Sequence, residues 1–182
     1  ELDPYDPIPH QDVVRYAAAR GCIMIAASGN AGGQARYSPA SLDEVIAVSA
    51  VDAEGRPAPF STGGDHVDIA APGVRILSAG LNGYLLATGT SFAAPFVAAA
   101  AGLLVSRAAA RAFPLDAPTA KRLLCESAAP WPEANVRGQG AGILDAHAAL
   151  RHLDRLIDSE EREAAVMAFG RAASFGERSI PA

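Results

Sequence analysis

The chain has 182 residues, 50% of them hydrophobic and 19% charged, with a formal net charge of −5. That size and balance describe one globular domain and exclude both a disordered chain and a membrane class. An acidic chain with no basic stripe has nothing to neutralise phosphates, so nucleic acid is excluded as a partner.

Residues Glu1 to Asp12 are acidic and proline-rich and lack the basic-then-apolar order of a secretory leader. From about Gln11 to Arg20, Val13, Val14, Ala17 and Ala18 recur at helical spacing, and Gly21 supplies a stop. Cys22 to Ala27 and Val45 to Val51 are almost continuous apolar runs, the pattern of strands buried on both faces of a parallel sheet. Short strands are expected at Val67 to Ala70 and Val74 to Ala79, on either side of Pro72-Gly73, with a hairpin around Asn82-Gly83. Ser91 to about Ala112 reads as a long buried helix, with Pro95 tolerated in its first turn. The most apolar part, Phe92 to Val105, is shorter than a bilayer span and holds Pro95 and Gly102, so no membrane span is expected. Further helices are expected from about Pro118 to Ala128 and from Asp145 to Ile157. The chain therefore divides into a domain over residues 1–157 and a helical or partly disordered extension over 158–182, fraying near Ile180-Pro181. Helix, buried strand, loop and buried strand in succession favour a three-layer α/β architecture with a mostly parallel central sheet. Cys22 and Cys125 each fall inside an apolar run; they indicate neither a disulfide framework nor a metal site and are expected to be buried free thiols.

Chemistry concentrates in Thr88-Gly89-Thr90-Ser91-Phe92-Ala93-Ala94-Pro95. A serine heading a long helix serves most simply as its N-cap. The same position also lies at the positive end of the helix dipole, beside unpaired N–H groups, where a nucleophilic hydroxyl meets developing negative charge. Asn30, before Ala31-Gly32-Gly33, reads by itself as a turn residue.

The run Gly89 to Pro95 resembles the nucleophile signature of the subtilisin-like (subtilase) serine peptidases. Other segments resemble family signatures in the same order: Ile25-Ala26-Ala27-Ser28-Gly29-Asn30, Tyr37-Ser38-Pro39-Ala40, Val45 to Ala50, Phe60-Ser61, Val67 to Gly73 and Gly140 to Ala146. The resemblance spans roughly Asp6 to Leu150 and implies the C-terminal half of a subtilisin-like α/β peptidase domain. It implies Ser91 as nucleophile, with Asn30 and the Ser91 N–H binding the oxyanion. It implies Ala26, Ala27, Ser28 and Gly29, together with Gly89 and Thr90, as substrate-binding residues. Arg36 and Tyr37 belong to the loop that closes the specificity pocket in relatives, and are expected here to be solvent-exposed.

In the family the chain order is aspartate, histidine, serine. His10, His66, His147 and His152 all lack the context of the family histidine, and His66 is expected to be solvated. The implied partners are therefore a peptide or protein substrate and an N-terminal half supplying aspartate and histidine, without which this half is expected to be inactive and unstable alone. A catalytically inactive subtilase-fold binding or scaffold module is the alternative, and a sedolisin-type peptidase a third reading. Phe92, Phe96 and Ala99 depart from the methionine, histidine and glycine usual in the family; all three belong to helix packing. Calcium often braces family loops, but no carboxylate cluster here demands it, and no cofactor is expected. The resemblance favours an extracellular or periplasmic location.

Overall fold

The computed structural model describes residues 10–134 and 136–176. In chain order the elements are α1 (His10–Ala18), β1 (Met24–Ala27), β2 (Val45–Val51), β3 (Ile69–Pro72), β4 (Ile76–Gly80), β5 (Gly83–Ala87), α2 (Thr90–Ala110), α3 (Ala117–Glu126) and α4 (Ala146–Gly176). β2 lies between β1 and β3 and is parallel to both, with Met24 opposite Val45 and Val48 opposite Ile69. All seven residues of β2 are buried, which is why its sequence is apolar without alternation. Ile46, Val48 and Ala50 share one face and meet Ala93, Val97, Ala101 and Leu104 in the core. On the other face the Ser49 hydroxyl donates to the Gln139 carbonyl at 2.8 Å.

β1 is half-buried along its whole length, not buried on both faces as its composition suggested, because it is the edge strand and pairs only with β2 among the described residues. Cys22 lies outside that strand and is exposed, contrary to the expectation of a buried thiol. Cys125 is partly buried; its thiol donates to the Asp68 carbonyl at 3.6 Å, and burial pushes its pKa up to about 11. β3 starts two residues later than expected, and three of its four residues are buried, so it belongs to the core and not to the surface. The hairpin turns through Leu81-Asn82, with Gly80 opposite Gly83.

α2 contacts all three parallel strands and packs against α3 and α4. Val97 and Leu104 are fully buried, each burial contributing about 1.5–3 kcal/mol. At 21 residues and a mean hydropathy of 1.6, α2 is longer than the apolar run suggested and is long and apolar enough to cross a bilayer. Here it lies across a sheet, yet Phe96 and Leu103, two turns apart on one side, and Val105 on the other side remain exposed. Because the helix starts at Thr90, Pro95 falls at the sixth helical position, beyond the first turn, and leaves the Ser91 carbonyl without its i+4 donor. α3 is capped by Asp116, whose carboxylate accepts the Thr119 N–H at 2.8 Å, with Pro118 in the first turn. α4 runs across Ile157 without a break and is tied to α2 by Arg107–Asp154 at 2.7 Å and Arg111–Asp158 at 2.9 Å. Ile180-Pro181 lie outside the described residues.

Candidate active site

In a parallel sheet the loops leaving the C-terminal strand ends gather on one side, where open α/β folds place ligands. Asn30 follows β1 on that side, and the exit of β3 leads through Gly73 towards the head of α2. Gly73 donates its N–H to the Val51 carbonyl at 2.9 Å and accepts the Gly89 N–H at 2.8 Å, which ties the helix head to the sheet. The residue there must be glycine: a Cβ would stand 2.6 Å from Ala50 Cβ and 3.0 Å from the Gly89 oxygen.

Asn30 and α2 meet directly. The Thr90 backbone N–H donates to Asn30 Oδ1 at 2.8 Å, and the Thr90 hydroxyl donates to the same oxygen at 2.9 Å. A backbone N–H can only donate, so the atom facing it is the amide oxygen, and Nδ2 is left free. That nitrogen lies 3.5 Å from where a Cβ on Gly89 would stand, on the approach to the helix head. The neighbours of Asn30 are held as firmly. Thr90 Oγ1 accepts the Gly29 N–H at 3.3 Å, Thr62 Oγ1 accepts the Ala31 N–H at 3.2 Å, and the Thr62 N–H donates to the Gly29 carbonyl at 2.9 Å. Thr62 was not anticipated, because nothing local in the sequence marks a hydroxyl that acts on a loop 31 residues away.

Ser91 is exposed and occupies the second position of α2. The N-cap is Gly89, which has no side chain, and the first helical N–H, that of Thr90, is taken by Asn30 Oδ1, so the Ser91 hydroxyl is not spent on capping. Among the described residues its backbone N–H has no partner, as expected in a first turn. Asn30 is exposed as well, so hydroxyl, amide and N–H face solvent at one helix terminus. Of the other anticipated residues, Ala26, Ala27 and Gly29 are half-buried, whereas Ser28 and Thr90 are wholly buried. Thr90 is turned towards Asn30 and not towards a ligand.

The histidines lie elsewhere. His10 Nδ1 is 3.3 Å from Ser38 Oγ, His152 Nε2 is 3.8 Å from a Glu126 oxygen, and His147 is exposed on α4. The His66 side chain is only 3% exposed, with neither ring nitrogen hydrogen-bonded, which corrects the expectation of a solvated ring. Burial, and then the Arg36 charge, hold its pKa below the ordinary value, against the opposing pull of Asp65 and Asp68. None of the four hydrogen-bonds Ser91. Arg36 is exposed and paired with Asp65, but Tyr37 is half-buried, its ring lying on Gly29.

Among the described residues no three His, Cys, Asp or Glu side chains gather as a metal-binding group. At the opposite ends of the strands, the Lys121 ammonium donates to Asp68 Oδ2 at 2.9 Å and to the carbonyls of Val45 at 2.9 Å and Asp43 at 3.2 Å.

The head of α2 thus carries an exposed hydroxyl, an unpartnered backbone N–H and, from the neighbouring loop, a free side-chain amide nitrogen, groups of the kind that can attack a carbonyl and bind its oxygen. A family model described as the subtilase family matches residues 5–151. The thermophilic serine proteinase of Bacillus sp. (strain AK1) is 46% identical over 98 residues, covering 53% of this chain and 24% of that protein. Thermitase of Thermoactinomyces vulgaris is 44% identical over 98 residues, covering 53% of this chain and 35% of its own length. Among solved structures, the patellamide maturation protease PatA superposes with a TM-score of 0.75 at 33% identity, covering 85% of this chain and 58% of that one. The prenylagaramide maturation protease PagA gives 0.73 at 34%, covering 84% and 59%. The chain thus spans a minor part of its curated relatives and somewhat over half of these solved ones. With the parallel α/β sheet of the subtilisin-like fold, and a family match over most of its length, the chain belongs to the subtilase family.

Proposed function

We propose that this chain is the nucleophile-bearing half of a serine endopeptidase domain. The Ser91 hydroxyl attacks a peptide carbonyl, and its proton passes to a histidine carried, with its aspartate, by the other half of the domain. As the carbonyl oxygen becomes anionic it is bound by Asn30 Nδ2 and the Ser91 N–H. Collapse of the tetrahedral intermediate breaks the C–N bond, and the histidine returns the proton to the leaving amine. Water then hydrolyses the Ser91 ester by the same steps in reverse order.

The observation that carries this reading is the pair of bonds from Thr90 to Asn30 Oδ1, which leaves the amide N–H groups free as donors at the head of α2, near Gly89. The place for the other half is supported by two surfaces: the outer edge of β1, which has no partner among the described residues, and the exposed side of α2 bearing Phe96 and Leu103.

The test is a fluorophosphonate probe on the full-length protein, read by mass spectrometry. Labelling at Ser91, abolished in Ser91→Ala together with peptide hydrolysis, is the expected result. Peptide hydrolysis that survives Ser91→Ala overturns the reading.

A further inference from the structure

We propose that a cavity at the starts of the parallel strands binds an amphiphilic amine, an apolar body carrying one cationic nitrogen. The cavity measures about 450 Å³, within the range of small-molecule sites, and its walls are almost wholly apolar. It lies between the end of α1 at Ala18, the entries to β1 and β2 at Ile23, Met24 and Ile46, and the α3 residues Pro118 and Cys125. Asn30 follows the far end of β1, so no group of the candidate active site lines this space. α3 is held at its distance by Lys121, whose ammonium donates to the carbonyls of Asp43 and Val45 and to Asp68. Burial pushes the Cys125 thiol up to about 11, so it stays neutral and adds to the apolar wall. Water in such a space finds few partners, and an apolar body gains by displacing it.

Charge decides the other half of the ligand. Four charged side chains border the cavity: Asp43, Glu44, Lys121 and Arg122. Three of them are matched within the chain. Lys121 has its three oxygen acceptors, Arg122 lies 3.3 Å from a Glu126 oxygen, and Glu44 lies 3.7 Å from Arg15. The exposed Asp43 carboxylate has no partner among the described residues, although its own backbone carbonyl is anchored by Lys121. The unmatched charge at the opening is therefore negative. An ammonium there pairs with Asp43, whereas a carboxylate meets Asp43 and finds both neighbouring cations already engaged.

The test is titration calorimetry of the full-length protein with phenylbutylammonium, phenylbutanol and phenylbutyrate, which share one apolar body. Saturable binding of the ammonium is expected, about two- to fivefold tighter than the alcohol at low salt, with the carboxylate weakest. The advantage over the alcohol should shrink as salt is added, because Asp43 is exposed. Bound amine should slow alkylation of Cys125 more than that of the exposed Cys22. Asp43→Asn should erase the advantage of the ammonium and leave alcohol binding unchanged, and Ala18→Phe should abolish binding of all three by filling the space. Cooperative urea unfolding reports whether each variant is folded, and the wild-type series decides the matter even if Ala18→Phe is not. Absence of saturable binding to the full-length protein, as follows where the other half fills the cavity, overturns the proposal. So does carboxylate binding as tight as that of the ammonium, or an ammonium advantage that survives Asp43→Asn.

Discussion

The Thr90 backbone N–H reaches Asn30 Oδ1 across 60 residues of sequence, 2.8 Å from donor to acceptor, and so decides which end of the Asn30 amide faces the head of α2. The strand-end loop and the helix head are thereby one unit, with the amide oxygen turned inward and the amide nitrogen outward. Orientation of this kind is set before any ligand arrives, which is where electrostatic stabilisation of a transition state gains its advantage over water.

Asn30→Asp is a near-isosteric test of that orientation. The aspartate keeps an oxygen for Thr90 but presents a second acceptor where a donor is required. In the full-length protein it should lower kcat by about 10²–10³-fold, as removal of an oxyanion donor does, with little change in KM. Thr90→Val keeps the backbone bond and removes the hydroxyl, so about a tenfold loss is expected. Equal, negligible effects of both substitutions on kcat would show that the amide does not face the reacting oxygen.

Much of this was legible in the chain. β2 was placed residue for residue because a strand buried on both faces is a continuous apolar run with no ambiguity of phase. In the sequence Ser91 and Asn30 stand out together only through the order of family-like segments around them, since each taken singly reads as a cap or a turn. What the chain could not disclose depends on distant contacts. The turning of Thr90 towards Asn30, the support from Thr62 and the packing of the Tyr37 ring on Gly29 link loops separated by tens of residues. The edge position of β1 was hidden for the same reason: its apolar composition suits a central strand, and burial of an edge is set by what lies beside it.

Lys121 joins the start of β2 to the start of β3 through Asp68 and the carbonyls of Asp43 and Val45. Asp68 also accepts the Ala47 N–H at 2.8 Å, so its carboxylate serves two strands. Lys121→Met removes the charge and three hydrogen bonds while keeping the stem, and should destabilise the protein by about 1–3 kcal/mol in urea unfolding. A double-mutant cycle with Asp68→Asn should show clear coupling; strictly additive losses would mean that the pair is held apart in solution.

His66 gives a pH dependence of defined sign. Burial holds its folded-state pKa below the ordinary 6.5, so the native ring stays neutral while the unfolded chain takes up a proton first. Its contribution is fully present above pH 6.5 and is lost as pH falls from there towards the folded value, by at most about 1.4 kcal/mol per pH unit. His66→Phe, which cannot titrate, should flatten the fall in stability between pH 7.5 and 5.5 measured by urea unfolding. Parallel wild-type and variant curves over that interval would place the proton uptake elsewhere.

Gly73 and Gly102 make a matched pair for asking how closely the helix head is coupled to the sheet. Gly73 lies between β3 and β4 and Gly102 within α2. A Cβ at Gly73 would meet Ala50 Cβ at 2.6 Å and the Gly89 oxygen at 3.0 Å, whereas a Cβ at Gly102 meets nothing within 4 Å. Gly73→Ala should therefore cost about 1–3 kcal/mol of stability through overpacking. It should also lower kcat by more than its effect on folding accounts for, since Gly73 holds the Gly89 N–H and a displacement of about 1 Å at the helix head can cost about 10²-fold. Gly102→Ala, in an exposed helical position, should be neutral or stabilise by up to about 1 kcal/mol without touching kcat. Similar kinetics for the two variants would mean that the head of α2 holds its place against the Asn30 loop without the Gly73 contact, leaving the Thr90 bonds alone to position Ser91.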